Sequence, residues 1–242
     1  MGYLIGYIIS GVVIIISVII ALVAQSKVND AFQTYKDINS TIDLTGCELA
    51  EKLCSDNNLN LTIKSCKGNL TDHYNPKDKS INISQSNFNS KSIAAQSIVA
   101  HEFGHALQDK ENYSLFKLRQ FVIKTSNFAS RLLLPLLIIG IILELVLLNG
   151  IGSIVIYVSI GIYGLSLIAN LVTLPVEINA SKRAKDLMFQ LGATSEDEVY
   201  ATDRMLNAAA MTYVAGMLVS LAYFLRYLFF IISIITLYAS YI

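Results

Sequence analysis

The sequence predicts a mostly α membrane protein with about four transmembrane helices and a cytoplasmic α+β domain carrying a small sheet. Three observations predict it. Only 15% of the 242 residues are charged, against about 25% in an ordinary globular domain. The shortfall is local: residues 3–24 and 151–174 carry no charge at all, and roughly 20 apolar residues suffice to cross the hydrocarbon core of a bilayer. Finally, 17 of the 18 Lys and Arg residues lie in or beside two polar blocks, 25–130 and 175–207, Arg226 being the exception. By the positive-inside rule that bias puts both blocks in the cytoplasm.

The elements follow in order. Residues 3–24 read as an uncleaved anchor, because a secretory signal needs a basic start and a short apolar core, and Met1-Gly2 supplies no base. Gly2 and Gly6 are spaced for a helix-packing face. Thr45 and Glu48 fit a capping box opening a helix that runs to about Asp56. Residues 61–65 alternate like a strand, Asn75 to Asp78 make a turn, and Ser80–Ser84 form a second short strand. Ser90 or Ser92 caps a helix to about Asp109. Residues 132–148 form a further span that contains Pro135 and Glu144, with Glu144 near the far interface. A tight turn over 149–152 returns the chain through 151–174, completing a hairpin. Pro175 suits the first turn of a new helix, and "TSEDE" reads as the solvated start of another.

The tail, 208–242, is interrupted only by Arg226. As one helix it would be about 52 Å long, against a core of about 30 Å. Its first part is expected to pack on the polar domain. The remainder crosses, once or in two short passes, with Arg226 near an interface and Tyr238 and Tyr241 in an aromatic belt. The organisation is then an anchor (1–24), a first cytoplasmic block (25–131), a transmembrane hairpin (132–174), a second cytoplasmic block (175–212) and a C-terminal membrane helix region (213–242).

A net charge of zero gives no electrostatic footprint for nucleic acid. Cys47, Cys54 and Cys66 form no CxxC pair, so they read as free thiols in a reducing compartment. The lipid bilayer is one partner. The sequence leaves a homo-oligomer or a regulatory membrane subunit open.

The chemistry sits in "IVAHEFGHALQ". His101 and His105 are four residues apart on a helix, so both imidazoles project from one face and can reach one Zn²⁺. Glu102 beside them can act as general base on a water activated by the metal. A catalytic zinc needs a third protein ligand and an open position. His73, Glu111, Glu144, Glu177, Glu196 and Glu198 are candidates. Glu177 is preferred. It follows Pro175, shares a helical face with Ala180, Ser181 and Ala184, and emerges on the correct membrane side.

The stretches "GNLTDHYNPKDKSINIS", "SIAAQSIVAHEFGHALQ", "LPVEINASKRA" and "LNAAAMTYVAGML" resemble the YugP-like family of neutral zinc metallopeptidases of bacterial membranes, and the likeness extends over nearly the whole chain. The layout is also similar to gluzincins that place transmembrane helices between H-E-x-x-H and a distant glutamate. The resemblance implies a zincin-like metallopeptidase domain, Zn²⁺ as cofactor, His101, His105 and Glu177 as ligands and Glu102 as base. Such gluzincins often carry Glu-x-x-Ala-Asp at the third ligand, where this chain has Ser181. Asp109 could take over the orienting role of the missing acid. Tyr213 is a candidate oxyanion donor, and Ser80–Ser84 a candidate edge for a peptide substrate. The activity expected is a membrane-integral zinc endopeptidase acting on membrane or membrane-proximal proteins in a bacterial cell membrane. The rival is a non-catalytic scaffold whose zinc is structural, closed by a fourth ligand such as His73.

Overall fold

The computed structural model describes residues 2–147 and 150–239. In chain order these form α1 (Gly2–Tyr35), α2 (Gly46–Asp56), β1 (Thr62–Cys66), β2 (His73–Asn75), β3 (Ser80–Ser84), α3 (Gln85–Phe88), α4 (Ile93–Lys110), α5 (Ser114–Leu147), α6 (Ile151–Gln190) and α7 (Glu196–Ala239). The chain divides into two compact units. One comprises 1–22, 118–173 and 213–242; the other comprises 23–117 and 174–212. They are called here the membrane unit and the polar unit.

In the polar unit, local sequence sets the helix starts. Thr45 and Glu48 complete the expected capping box of α2, satisfying two backbone donors reciprocally. Of the two serines considered for α4, Ser92 is the cap, and its hydroxyl accepts from Ala95 N at 3.2 Å. The sheet has the order β1-β3-β2. β1 lies parallel to β3, and β2 lies antiparallel to it. Ser80–Ser84 is therefore the central strand, not the edge expected from the sequence, and its pairing positions are taken on both sides. Ile81 and Ile83 are fully buried in a core with Leu49, Leu53, Val99, Phe103, Val176 and Met188.

Two further expectations are corrected. Pro175 opens no helix; it lies inside α6, which runs unbroken from Ile151 to Gln190. Glu198 is not solvated. It is 2% exposed, and its carboxylate accepts from the hydroxyls of Ser40 and Thr41 and from Thr41 N. A buried carboxylate is tolerable because those donors replace its water. Cys47, Cys54 and Cys66 are free, and burial raises the thiol pKa of Cys47 and Cys54.

The membrane unit is helical. Among the described residues, three helices are long and apolar enough to cross a bilayer: Ile5–Tyr35, Ile151–Gln190 and Glu196–Phe230. A fourth results if Ser114–Phe128 and Arg131–Leu147, bent by 42°, count as one span. Pro135 lies within the second of these segments. α5 and α6 approach closely: a β-carbon on Gly152 would run into Glu144 N and Gly140 O. Glu144 caps the returning helix, accepting from Ser153 N at 2.8 Å. Of the two glycines expected to pack, Gly6 does, its position leaving 2.9 Å for a β-carbon against the Phe229 ring. Arg226 donates to Tyr7 Oη at 2.7 Å and lies 4.2 Å from that ring's centre. The C-terminal helix is a single element. Asn149, Tyr241 and the side chain of Tyr238 lie outside the described residues.

Candidate metal centre

The centre belongs wholly to the polar unit and is built from α4 and α6. α4 is buried along most of its length, and Val99, Ala100 and Phe103 seat it in the core. That leaves His101 and His105 on one face, their ring centres 4.9 Å apart. Between them sits Gly104. A β-carbon there would come within 2.7 Å of Ala180 O on α6. The missing side chain allows the two helices to cross in near backbone contact, which brings Glu177 over the histidines.

Glu177 is 1% exposed. Its Oε2 lies 3.1 Å from His101 Nε2 and 3.4 Å from His105 Nε2. Among the described residues these three form the one group of potential metal donors, with ligand atoms all within 4.8 Å of one another. The other candidates for third ligand go elsewhere. Glu111 pairs with Arg183, Glu144 caps α6, and Glu198 is held by Ser40 and Thr41. His73 is exposed on β2, with Nδ1 2.9 Å from Thr71 O. It is not part of the cluster; among the described residues no fourth His, Cys, Asp or Glu joins the three, and the structural-zinc scaffold is not favoured.

Hydrogen bonding fixes the proton on His105. Gln108 Nε2 donates to Val176 O at 2.8 Å and to Asn179 Oδ1 at 2.9 Å. Val176 O can only accept, so the Gln108 atom facing it must be nitrogen. Gln108 Oε1 therefore faces His105 Nδ1, at 3.0 Å, and that nitrogen must carry the hydrogen. The lone pair of His105 then sits on Nε2 and points at a carboxylate oxygen. In the neutral imidazole this sets two acceptors 3.4 Å apart; a shared proton can bridge them, and a dication held by two imidazoles and one carboxylate satisfies both. Zinc fits this donor set. His101 Nδ1 lies 3.3 Å from Ser181 Oγ, and that hydroxyl can donate or accept, so it does not fix the tautomer.

Glu102 is held from outside the helix. Its Oε2 accepts from Tyr74 N at 2.8 Å, so the free edge of β2 orients the carboxylate. Burial pushes its pKa up to about 7, with the nearby charge of His101 and the Tyr74 hydrogen bond acting in the opposite sense. A group poised there can take and return a proton near neutrality.

The acid expected to orient a histidine does not do so. Asp109 accepts from Tyr74 Oη and Lys79 Nζ, each at 2.6 Å, and the acceptor on His105 is Gln108. Asn179 Oδ1 also takes Arg183 Nε at 2.9 Å, and Arg183 holds Glu111 through both carboxylate oxygens at 2.8 and 2.6 Å. Gln108, Asn179 and Tyr74 are thus functional-site residues missed in the sequence reading. The only signal for Gln108 was its place three residues beyond His105, on the neighbouring helical row. Tyr213 belongs to the membrane unit, on α7, where it lines a cavity with Arg119, Asn127 and Asn170.

Comparison with known proteins agrees with this chemistry. The chain is 36% identical over 205 residues to a Bacillus subtilis (strain 168) protein named "Putative membrane protease YugP", covering 84% of this chain and 88% of that one. No solved structure matches it. Residues 10–232 match the family described as "Putative neutral zinc metallopeptidase". With nearly its whole length covered and a zinc-competent donor set in place, the chain belongs to that zinc metallopeptidase family.

Proposed function

We propose that the protein is a membrane-integral zinc endopeptidase of gluzincin type, cleaving peptide bonds of membrane or membrane-proximal proteins. His101, His105 and Glu177 hold the metal, and both polar segments face the cytoplasm. The observation that carries the reading is the convergence of these three donors beside Glu102. When bound, zinc supplies Lewis acidity toward a peptide carbonyl and an attacking water.

The chain's own groups do the rest. Glu102 takes the proton of the attacking water and hands it to the departing amine. Tyr74 N–H steadies Glu102 in both states. Gln108 accepts from Nδ1–H of His105, so the neutral ring turns its Nε2 lone pair toward the metal position. Tyr213 is the proposed hydrogen-bond donor to the oxyanion. The cytoplasmic orientation draws on the Lys and Arg distribution.

The test is Glu102→Gln in the full-length protein reconstituted in lipid. Zinc content should be retained, and cleavage of an unfolded membrane substrate should fall by at least about 100-fold, the lower range of general-base contributions. Undiminished cleavage would remove Glu102 from the reaction.

A further inference from the structure

The membrane unit contains a cavity of about 360 Å³ between α5, α6 and α7. Its polar lining includes Arg119, Ser126 and Asn127 from α5 and Ser166, Asn170 and Thr173 from α6. Polar side chains are costly at membrane depth and collect where they have work. Part of this set is used internally. Ser126 Oγ meets Ser166 Oγ at 3.0 Å, and Thr173 Oγ1 donates to Ala169 O at 2.7 Å. Asn170 Nδ2 donates to Ser166 O at 3.1 Å and to Ser220 Oγ at 2.7 Å. Among the described residues the Asn170 carbonyl oxygen receives no donor and the Asn127 amide makes no hydrogen bond.

The chemistry of the lining selects its occupant. It holds amides and hydroxyls, which both donate and accept, one guanidinium and no carboxylate. A metal cation finds no anionic ligand there. A phospholipid phosphate finds one cation and mostly neutral groups. A neutral chain of alternating N–H and C=O groups matches amide side chains in both directions. Within a membrane such a chain exists only where a helix has been unwound, because lipid offers its freed backbone groups no partners.

We propose that this cavity binds an unwound, extended stretch of a substrate's membrane-spanning segment. The Asn127 and Asn170 amides pair with the substrate backbone. The inference rests on the endopeptidase reading for its substrate class. Spans that break easily, at Gly, Pro or Asn, would be accepted, and stiff polyleucine spans refused.

The test uses full-length protein in phosphatidylethanolamine/phosphatidylglycerol vesicles, with Glu102→Gln present so that nothing is cut. The probe is a synthetic single-span peptide with a photoreactive residue beside a central Gly-Pro break. Crosslinks should map to α5 and α6 at the cavity. Asn127→Leu, which breaks no bond within the protein, should lower the yield about fivefold, the worth of one hydrogen bond. A polyleucine span carrying the same photoreactive residue should label weakly. Equal labelling by both spans, crosslinks outside the cavity, or preferential labelling by a photoreactive phospholipid would each overturn the proposal. Cleavage of an unfolded membrane-protein substrate by the wild type reports separately on the endopeptidase reading. Its absence would sink that reading and leave the crosslinking result to stand or fall alone.

Discussion

Gly104 and Ala180 cross so closely that a single β-carbon on the glycine would lie 2.7 Å from the alanine's carbonyl oxygen. This contact sets the spacing between the helix that carries both histidines and the helix that carries Glu177. Because the obstacle is backbone, a methyl group cannot be relieved by a rotamer change. Gly104→Ala should push α6 away, cost about 1–3 kcal/mol by overpacking and lower zinc affinity. Thermal unfolding and chelator competition check it; an unchanged affinity would show that the crossing has slack.

Gln108 should matter through zinc affinity. Gln108→Leu keeps the bulk but leaves His105 Nδ1 and Val176 O without their partners. Loss of such an outer hydrogen bond typically costs about 10–100-fold in metal affinity. Competition with a chromogenic chelator measures it. Asp109→Asn, whose carboxylate faces Tyr74 and Lys79 instead, should leave zinc binding within about twofold, since the ligands' orienting bonds remain intact.

Glu177 and His73 separate the two zinc readings. Glu177→Ala should abolish stoichiometric zinc in the purified protein, and His73→Ala should retain it. Metal analysis of the two variants decides. Zinc loss from His73→Ala would restore the closed, structural site.

Tyr213→Phe tests the oxyanion donor. Zinc content should persist while turnover falls by about 100-fold, the scale of one lost oxyanion hydrogen bond. Equal turnover would make Tyr213 a purely packing residue.

Arg183 holds the Glu111 carboxyl below its usual pKa, the hydrogen bonds outweighing a small burial effect. A depressed carboxylate stabilises the fold above its unfolded value and stops doing so as pH falls through the folded value. The stability of the metal-free protein should therefore drop more steeply below about pH 4.5 in wild type than in Glu111→Gln, the usual carboxyl value marking the upper limit of the window. The effect should be small, because the pair is largely exposed. Thermal midpoints across pH 3–6 measure the slope.

What the sequence revealed was chemistry with short-range causes. A four-residue repeat of histidine, a capping box and runs without charge each announce themselves within one or two turns. Glu177 was also legible, although partly for a wrong reason: Pro175 looked like a helix start but sits within α6. Proline's preference for a first turn is a local tendency, and a long apolar helix overrode it. The acceptor on His105 was not legible. Gln108 serves only because Val176 and Asn179, 68 and 71 residues away, hold its amide the right way round. Likewise Ser80–Ser84 looked like an edge because its antiparallel partner, His73–Asn75, is three residues long and too short to show a strand period. Glu198 looked solvated because its partners, Ser40 and Thr41, lie 158 and 157 residues earlier.

The histidine helix and the glutamate that completes its grip are far apart in chain order, 76 residues separating His101 from Glu177, and α5 and most of α6 lie between them. A ribosome therefore delivers the two imidazoles long before the carboxylate. A chain translated only through α5 holds two of the three potential donors. The three-donor cluster is complete only once the Glu177 segment of α6 has been made.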